Sequence, residues 1–172
     1  PYYLSWKARE FDFYTKFIEL AAEVNADMPN HVVGKIAAGL NLHGKALRGS
    51  RVLVLGVAFK RDIDDARNSP AQRTIELLLD AGATVEYYDP YVPVFQVGGN
   101  ALHRGRVALH SVPLEEGLTR ADVVAIITGH RNVDYAEVVA RSRIVIDAVN
   151  VTAALIDENN RIIRLGAPMP AV

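Results

Sequence analysis

The chain has 172 residues, of which 50% are hydrophobic and 23% charged. This is the composition of a globular domain with a buried core, not of a disordered chain. Nineteen Lys and Arg residues against 20 Asp and Glu leave a net charge of −1, which argues against a surface for nucleic acid or anionic membranes. Neither a membrane span nor a signal peptide is predicted, and we expect a cytoplasmic location. The absence of cysteine excludes disulfides, thiolate metal sites and thiol catalysis by this chain.

The N-terminal residues predict helices. The chain begins with Pro1 and not with Met, and we expect it to be cut from a longer protein. Apolar residues recur every three or four positions from Phe11 to Met28, which indicates one face of a helix. We expect Pro29 to interrupt this pattern and a second helix to follow, giving a helical hairpin or a kinked pair. The apolar stripe allows two roles, packing against the next domain or an interface with another subunit.

A different pattern begins after residue 48. Arg51–Leu55 is a short apolar run typical of a buried parallel strand. Ser69, Pro70 and Gln72 form a helix-start signature, with a capping residue, a proline at the first helical position and a glutamine three residues after the cap. A second strand follows at residues 84–88. A strand, a crossover helix and a strand in this order predict a parallel sheet.

The remaining residues continue the alternation of strands and helices. We expect strands at 107–109, 122–127, 144–147 and 162–165, and helices at 114–118 and 133–139. The glycine-rich stretch from Val92 to Arg106 lacks a period and is expected to be a loop. The pattern predicts an α/β fold, a Rossmann-like doubly wound parallel sheet (residues 49–172), preceded by a helical segment (residues 1–48).

The connection after the first predicted strand is the best candidate for a functional loop. Gly56–Ser69 has 14 residues, where about 2–6 are usual, and it lacks the G-x-G-x-x-G pattern of a dinucleotide cradle. Its cations suit phosphate oxygens, and it leads into a helix N-terminus, which favours anions. Its carboxylates would then brace the cations. The alternative is a solvated loop that contacts nothing. The cations are Lys60, Arg61 and Arg67, and the carboxylates are Asp62, Asp64 and Asp65.

Other candidate residues carry weaker signals. Asp89 ends the second strand, where an acid can accept a ribose hydroxyl, although we favour a simple turn of the chain. Thr128–His130 follows the strand at 122–127 and either reaches the ligand cleft or caps the next helix. The five histidines show no metal-ligand spacing, so no metal site is predicted.

Two segments carry a resemblance to a known family. Gly56–Pro70 resembles the signature G-x-A-F-K … D-x-R-x-S-P of the UDP-glucose/GDP-mannose dehydrogenase family, the UDP-sugar 6-dehydrogenases. Pro1–Glu10 looks like the opening of that family's central helical domain, particularly in members that oxidise UDP-N-acetylhexosamines. The resemblance implies an enzyme of three parts: a domain that binds NAD, a central helix that builds a homodimer, and a C-terminal Rossmann-like domain that binds the UDP-sugar. This chain would comprise the second and third parts.

The resemblance also implies a reaction and site residues. The family oxidises the sugar C6 hydroxyl to a carboxylate with two NAD, through a thioester on a cysteine, and the products serve polysaccharide synthesis. That cysteine lies a few residues before the position matching Pro1, so no catalytic residue is assigned here and the chain alone is expected to be inactive. Phe59 and Lys60 match positions that contact the UDP-sugar, and Arg67 matches a position that approaches NAD.

One residue departs from the family pattern. Asp147–Asn150 aligns with a D-x-R-N or D-G-R motif whose arginine contacts the nucleotide, and Val149 stands at the arginine position. This leaves a second hypothesis, a non-catalytic module for nucleotide binding or dimerisation. A third hypothesis, a different Rossmann-like domain that binds coenzyme A, is disfavoured by the loop with Phe59 and Lys60 and by the N-terminal segment.

Overall fold

The computed structural model describes residues 2–100, 103–157, 159 and 161–169. Pro1, with which the second resemblance begins, lies outside the described residues. Within them the chain forms an N-terminal helical segment and a layered α/β domain. The strands, in chain order, are β1 (Arg51–Leu55), β2 (Thr84–Tyr88), β3 (Val94–Gly98), β4 (Arg106–His110), β5 (Val123–Ile126), β6 (Val145–Asp147) and β7 (Ile162–Arg164). The helices are α1 (Tyr2–Arg9), α2 (Lys16–Leu42), α3 (Pro70–Asp80), α4 (Leu114–Arg120) and α5 (Tyr135–Arg141).

The helical segment is built around one long helix. The predicted interruption at Pro29 is wrong, because α2 runs through it for 27 residues. An internal proline costs about 3 kcal/mol. Beyond it, α2 buries Val32, Ile36 and Leu40 against the sheet, and each such side chain contributes about 1.5–3 kcal/mol. Packing therefore outweighs the local cost of Pro29, and the segment predicted as a helical hairpin or a kinked pair consists of a short α1 followed by a single long helix.

Five strands form one parallel sheet in the order β2-β1-β5-β6-β7. Successive residues of β1 point to opposite faces, as the two-residue period of a strand requires. Val54 packs in the core under α2 and α3, while Leu53 packs with Leu118 of α4 and Val138 of α5. Helices thus cover both faces, and the predicted doubly wound parallel sheet is confirmed.

The stretch predicted to be a loop contains an antiparallel hairpin. β3 pairs with β4 outside the main sheet, so the loop prediction is wrong, and the predicted strand at 107–109 belongs to this hairpin. Phe95 and Val97 alternate inward, and the Phe95 ring meets Tyr87 edge to face at 6.0 Å. An inward period carried by two residues is too short to stand out in the sequence, and burial beside β2 decides the structure.

The helix-start signature before α3 is largely confirmed. Ser69 Oγ accepts from the backbone N–H of Ala71, and Pro70 is the first helical residue. Gln72 does not reach back to the cap, because its side-chain amide donates to Glu76. The predicted start of α3, at the end of the connection from β1, is therefore correct.

The first residue after β1 must be a glycine. Gly56 has φ +79°, and a Cβ there would overlap the carbonyl oxygen of Thr128. We expect Gly56→Ala to lower the free energy of unfolding by about 3 kcal/mol, since a left-handed alanine is strained and the site has no room. Urea denaturation measures this loss.

Gly34→Ala is the matched control for that substitution. Gly34 lies in α2 with no atom near its missing Cβ, so alanine should stabilise the helix by up to about 1 kcal/mol. Equal unfolding free energies for the two alanine variants would contradict this account of Gly56.

Candidate functional site

The strand order places a crevice at the carboxyl ends of β1 and β5. These two strands are neighbours, yet the chain leaves β1 toward β2 and leaves β5 toward β6 in the opposite direction. Ligands of open α/β sheets bind at such a reversal of strand order. The β1–α3 loop (residues 56–69) lies at this edge, beside the turn that follows β5.

Asp89 anchors the start of the β1–α3 loop. Its buried Oδ2 accepts from the backbone N–H groups of Val57 and Ala58, at 2.7 and 3.0 Å. Its Oδ1 accepts from the N–H groups of Tyr91 and Val92. The carboxylate is thus engaged by the protein itself, so the turn interpretation is confirmed and the ribose-binding alternative is not supported.

Phe59 and Lys60 are exposed on this loop. The Phe59 ring is 49% exposed, and Lys60 Nζ lies 5.8 Å from its centre, within the range of a cation–π contact. The Phe59 N–H donates to the carbonyl oxygen of Asp65 at 2.8 Å, which closes the loop on itself. An aromatic face next to an ammonium can stack on a flat ring and pair with a phosphate.

Arg67 lies across the loop and is paired with Asp65. Its Nε and Nη2 donate to the two carboxylate oxygens at 2.9 and 2.7 Å, a two-pronged fork. These hydrogen bonds lower the pKa of Asp65 to about 2. The Arg67 side chain is 86% exposed and borders a groove of about 450 Å³ beside Gln72 and Gln96. A phosphate would compete with Asp65 for this fork.

The structure joins two of the three predicted site residues, Phe59 and Arg67, through Asp65. The backbone carbonyl of Asp65 receives the Phe59 N–H, and its carboxylate receives Arg67. The bracing role expected for the carboxylates therefore holds for Asp65 toward Arg67. Asp62 braces a different arginine, Arg131, whose Nε lies 3.5 Å from Asp62 Oδ2.

The turn after β5 contacts the β1–α3 loop. Thr128 Oγ1 donates to the carbonyl of Ala58 at 2.7 Å, so the predicted helix cap at Thr128 is wrong. Asp134 caps α5 instead, accepting from the N–H groups of Ala136 and Glu137. A direct role for His130 in the ligand cleft is not supported either, because it is 2% exposed.

The motif after β6 folds around Asp147. Its buried carboxylate accepts from the N–H groups of Val149 and Val151 and from both donors of Thr152. Val149 is exposed and lies against Gly129, whose missing Cβ would sit 3.6 Å from a Val149 methyl. The position where the family motif has an arginine thus lies beside the turn after β5, and here it presents an apolar side chain.

The described residues contain neither a candidate metal site nor a candidate membrane span. No group of three or more His, Cys, Asp or Glu side chains among them is arranged to hold a metal ion. None of their helices is long and apolar enough to cross a membrane.

A doubly wound sheet with a cationic and aromatic loop at its switch point is typical of α/β domains that bind nucleotides. Residues 53–154 match the model of the "UDP-glucose/GDP-mannose dehydrogenase family, UDP binding domain". The chain therefore belongs to this family, as the resemblance predicted.

Named relatives agree with this membership. UDP-N-acetyl-D-mannosamine dehydrogenase of Campylobacter jejuni is 35% identical over 117 residues, which are 67% of this chain and 27% of the relative. The solved UDP-D-ManNAc dehydrogenase of Pyrococcus horikoshii matches with a TM-score of 0.67 and 27% identity, over 87% of this chain and 33% of that one.

A third relative is a second solved structure. The NDP-N-acetyl-D-galactosaminuronic acid dehydrogenase of Methanosarcina mazei Go1 matches with a TM-score of 0.65 and 33% identity, over 84% of this chain and 30% of that one. The chain spans 24% to 32% of the length of the first curated relatives it matches.

Replacing Arg67 tests the pairing across the loop. In Arg67→Gln the pKa of Asp65 should rise from about 2 toward its ordinary value of 3.8, because the side-chain hydrogen bonds that lower it are lost. Since the pKa is lower in the folded chain, the pair stabilises the fold above pH 3.8, and this contribution is lost as the pH falls through 2. NMR titration of the Asp65 carboxyl carbon measures the shift.

Arg73→Gln provides the control for this titration, because Arg73 pairs with Glu76 on α3. It should leave the Asp65 midpoint unchanged. An Asp65 midpoint near 2 in Arg67→Gln would show that another group lowers this pKa.

Proposed function

We propose that this chain is the nucleotide-sugar-binding part of an NAD-dependent UDP-sugar 6-dehydrogenase. The enzyme would oxidise the sugar C6 hydroxyl to a carboxylate for polysaccharide biosynthesis in the cytoplasm. The observation that carries the proposal is the β1–α3 loop: it has the family signature, and it exposes Phe59 and Lys60 at the switch point of the sheet. In this proposal Phe59 stacks on a ring of the nucleotide sugar and Lys60 pairs with its diphosphate.

The names of the relatives favour an N-acetylated sugar. Those of Campylobacter jejuni, Pyrococcus horikoshii and Methanosarcina mazei are all named as dehydrogenases of N-acetylhexosamine or N-acetylhexosaminuronic acid derivatives. We propose a UDP-N-acetylhexosamine as the substrate class for the same reason.

NAD is the proposed cofactor, and Arg67 is its proposed contact. The exposed guanidinium at the rim of a groove of about 450 Å³, with the side-chain amides of Gln72 and Gln96 nearby, fits a pyrophosphate and its hydroxyl neighbours. When bound, NAD accepts the hydride removed from C6. Arg67 would then replace its two hydrogen bonds to Asp65 by hydrogen bonds to a phosphate of NAD, and these bonds would orient the dinucleotide.

The nucleophile of the proposed reaction must come from outside this chain. The family chemistry uses a cysteine thiolate, and the 172 residues contain no cysteine. The chain alone therefore binds and orients substrate in this proposal but forms no thioester.

The N-terminal helices supply the proposed homodimer contact, which we assign to residues 1–48. α1, the turn after it and the first half of α2 expose large apolar side chains, including Phe13 and Phe17, which together form the apolar stripe named here. Soluble monomers rarely expose an apolar patch of more than a few hundred Å². A second copy of this chain would cover the stripe. The exposed side chains are Tyr3, Leu4, Trp6, Phe11, Phe13, Tyr14, Phe17, Leu20 and Val24.

Val149 favours a second candidate function. An apolar residue at the arginine position of the family removes a cation from the turn after β6, beside Gly129. A domain that keeps its fold and its N-terminal interface without this cation would serve as a non-catalytic nucleotide-binding or dimerisation module.

Calorimetry with UDP tests the first proposal. The chain should bind UDP, and Lys60→Gln should weaken binding about tenfold, because a charge-assisted contact to phosphate is lost. Lys16→Gln removes an exposed lysine from the beginning of α2, outside the β1–α3 loop, and should bind UDP like the unchanged chain.

The other outcomes separate the two functions. Dimers that bind no UDP at millimolar concentration would favour the module. Formation of NADH from NAD and a UDP-N-acetylhexosamine by this chain alone, followed by its absorbance, would contradict the assignment of the nucleophile to another part of the enzyme.

Sedimentation equilibrium tests the dimer. Phe17 is 88% exposed, so Phe17→Lys leaves the monomer fold intact but places a charge in the proposed interface, where an unpaired buried charge is costly. We expect the unchanged chain to be dimeric and this variant monomeric at micromolar concentration. Val107→Lys changes an exposed valine of β4 and should remain dimeric, and a dimeric Phe17→Lys variant would exclude this interface.

A further inference from the structure

The β1–α3 loop is fastened to the domain at its middle by one residue. Among the described residues from 60 to 64, the hydrogen bonds to other elements are those of Asp62. Its N–H donates to His130 Nδ1 at 3.0 Å, and its Oδ1 accepts from the Arg131 N–H at 2.9 Å. The direction of Lys60 therefore depends on how Asp62 is held.

Asp62 is held in an unfavourable backbone conformation. Its φ is +61°, a left-handed conformation that costs a non-glycine residue about 1–2 kcal/mol. The two hydrogen bonds to the turn after β5 offset this cost. Without the bond to His130, we expect Asp62 to relax toward a right-handed or extended conformation and Lys60 and Arg61 to move with it.

His130 is rigid and has a defined tautomer. Its Nδ1 accepts from the Asp62 N–H and so carries no proton, which places the proton on Nε2, 3.1 Å from Asp89 Oδ2. The Tyr91 ring lies 5.1 Å from the imidazole. Burial raises the pKa of Tyr135 to about 12, and its hydroxyl donates to the His130 carbonyl at 3.2 Å. The Nδ1 atom that accepts from the Asp62 N–H is thus held in place by several contacts of His130.

We propose that His130 is a positioning residue for nucleotide binding. Its neutral imidazole bonds to Asp89 through Nε2 and to Asp62 through Nδ1, and so fixes Asp62 relative to the buried Asp89. In this way His130 holds Phe59 and Lys60 toward the ligand, although it touches no ligand itself. The inference rests on the proposed function, since it assigns to His130 the orientation of the UDP-contacting residues.

Two substitutions of His130 distinguish the roles of its two ring nitrogens. The amide of His130→Gln reaches the position of Nε2 and preserves a donor to Asp89, but leaves the Asp62 N–H without its acceptor. The oxygen of His130→Asn takes the position of Nδ1 and preserves that acceptor, but gives up the bond to Asp89. Both remove the ring from the same packed site, so a merely structural role would weaken both variants alike.

The two variants of His130 should differ in the exchange of the Asp62 amide and in their affinity for UDP. In His130→Gln we expect the Asp62 amide to exchange with solvent at least about tenfold faster and the Kd for UDP to rise about tenfold, the effect of one unsatisfied donor. In His130→Asn we expect both quantities within about threefold of the unchanged chain. NMR hydrogen exchange and calorimetry measure them, and His110→Gln, at an exposed residue of β4, is the matched control with no change.

A third variant guards against misfolding of the buried site. Asp62→Pro removes the same N–H and forbids the positive φ at a partly exposed position, so it should lower UDP affinity as much as His130→Gln does while the melting temperature stays within a few degrees. Equal UDP affinities for the Gln and Asn variants, or unchanged binding by Asp62→Pro, would overturn the proposal. If the unchanged chain binds no UDP, the proposed function fails, and the exchange contrast at Asp62 still decides whether His130 anchors the loop.

Discussion

The buried carboxylate of Asp89 is the interaction on which the carboxyl edge of the sheet depends. It accepts from Val57 and Ala58 after β1, from Tyr91 and Val92 after β2, and from His130 after β5. A charge removed from water is costly unless hydrogen bonds replace its hydration. Because these donors come from three separate connections, satisfying one carboxylate fixes the relative positions of all three.

The candidate site is an extension of this buried network to the surface. From Asp89 the connection runs through His130 to Asp62, and the β1–α3 loop then closes on itself through Asp65. The residues proposed to meet ligand, Phe59, Lys60 and Arg67, are exposed. Of the groups that hold them, Asp89 and His130 are buried, and Asp62 and Asp65 are partly exposed. This arrangement suits binding, because a preorganised loop has less conformational entropy to lose when the ligand arrives.

The two halves of the long helix α2 contribute to two different surfaces. Its second half buries Ile36 and Leu40 in the core of the α/β domain, while its first half exposes Phe17 and Leu20. The middle of α2 contacts the residues after β7 through His31 and Lys35, so its free first half continues past the carboxyl edge of the sheet. The division agrees with the proposal that the first half pairs with a second copy.

Local patterns in the sequence determined the parallel strands, the start of α3 and the unusual length of the β1–α3 loop, because apolar runs, a capping serine and glycine positions act over a few residues. The family match agrees with the family signature in that loop, and the ligand contacts of Phe59, Lys60 and Arg67 stay predictions of that signature. Tertiary structure alone decided that α2 continues through Pro29 and that β3 pairs with β4, because burial against distant elements outweighed the local preference. It alone also decided that Asp89, His130 and Asp62 form one chain of hydrogen bonds, since these residues are far apart in sequence and the folded sheet brings them together.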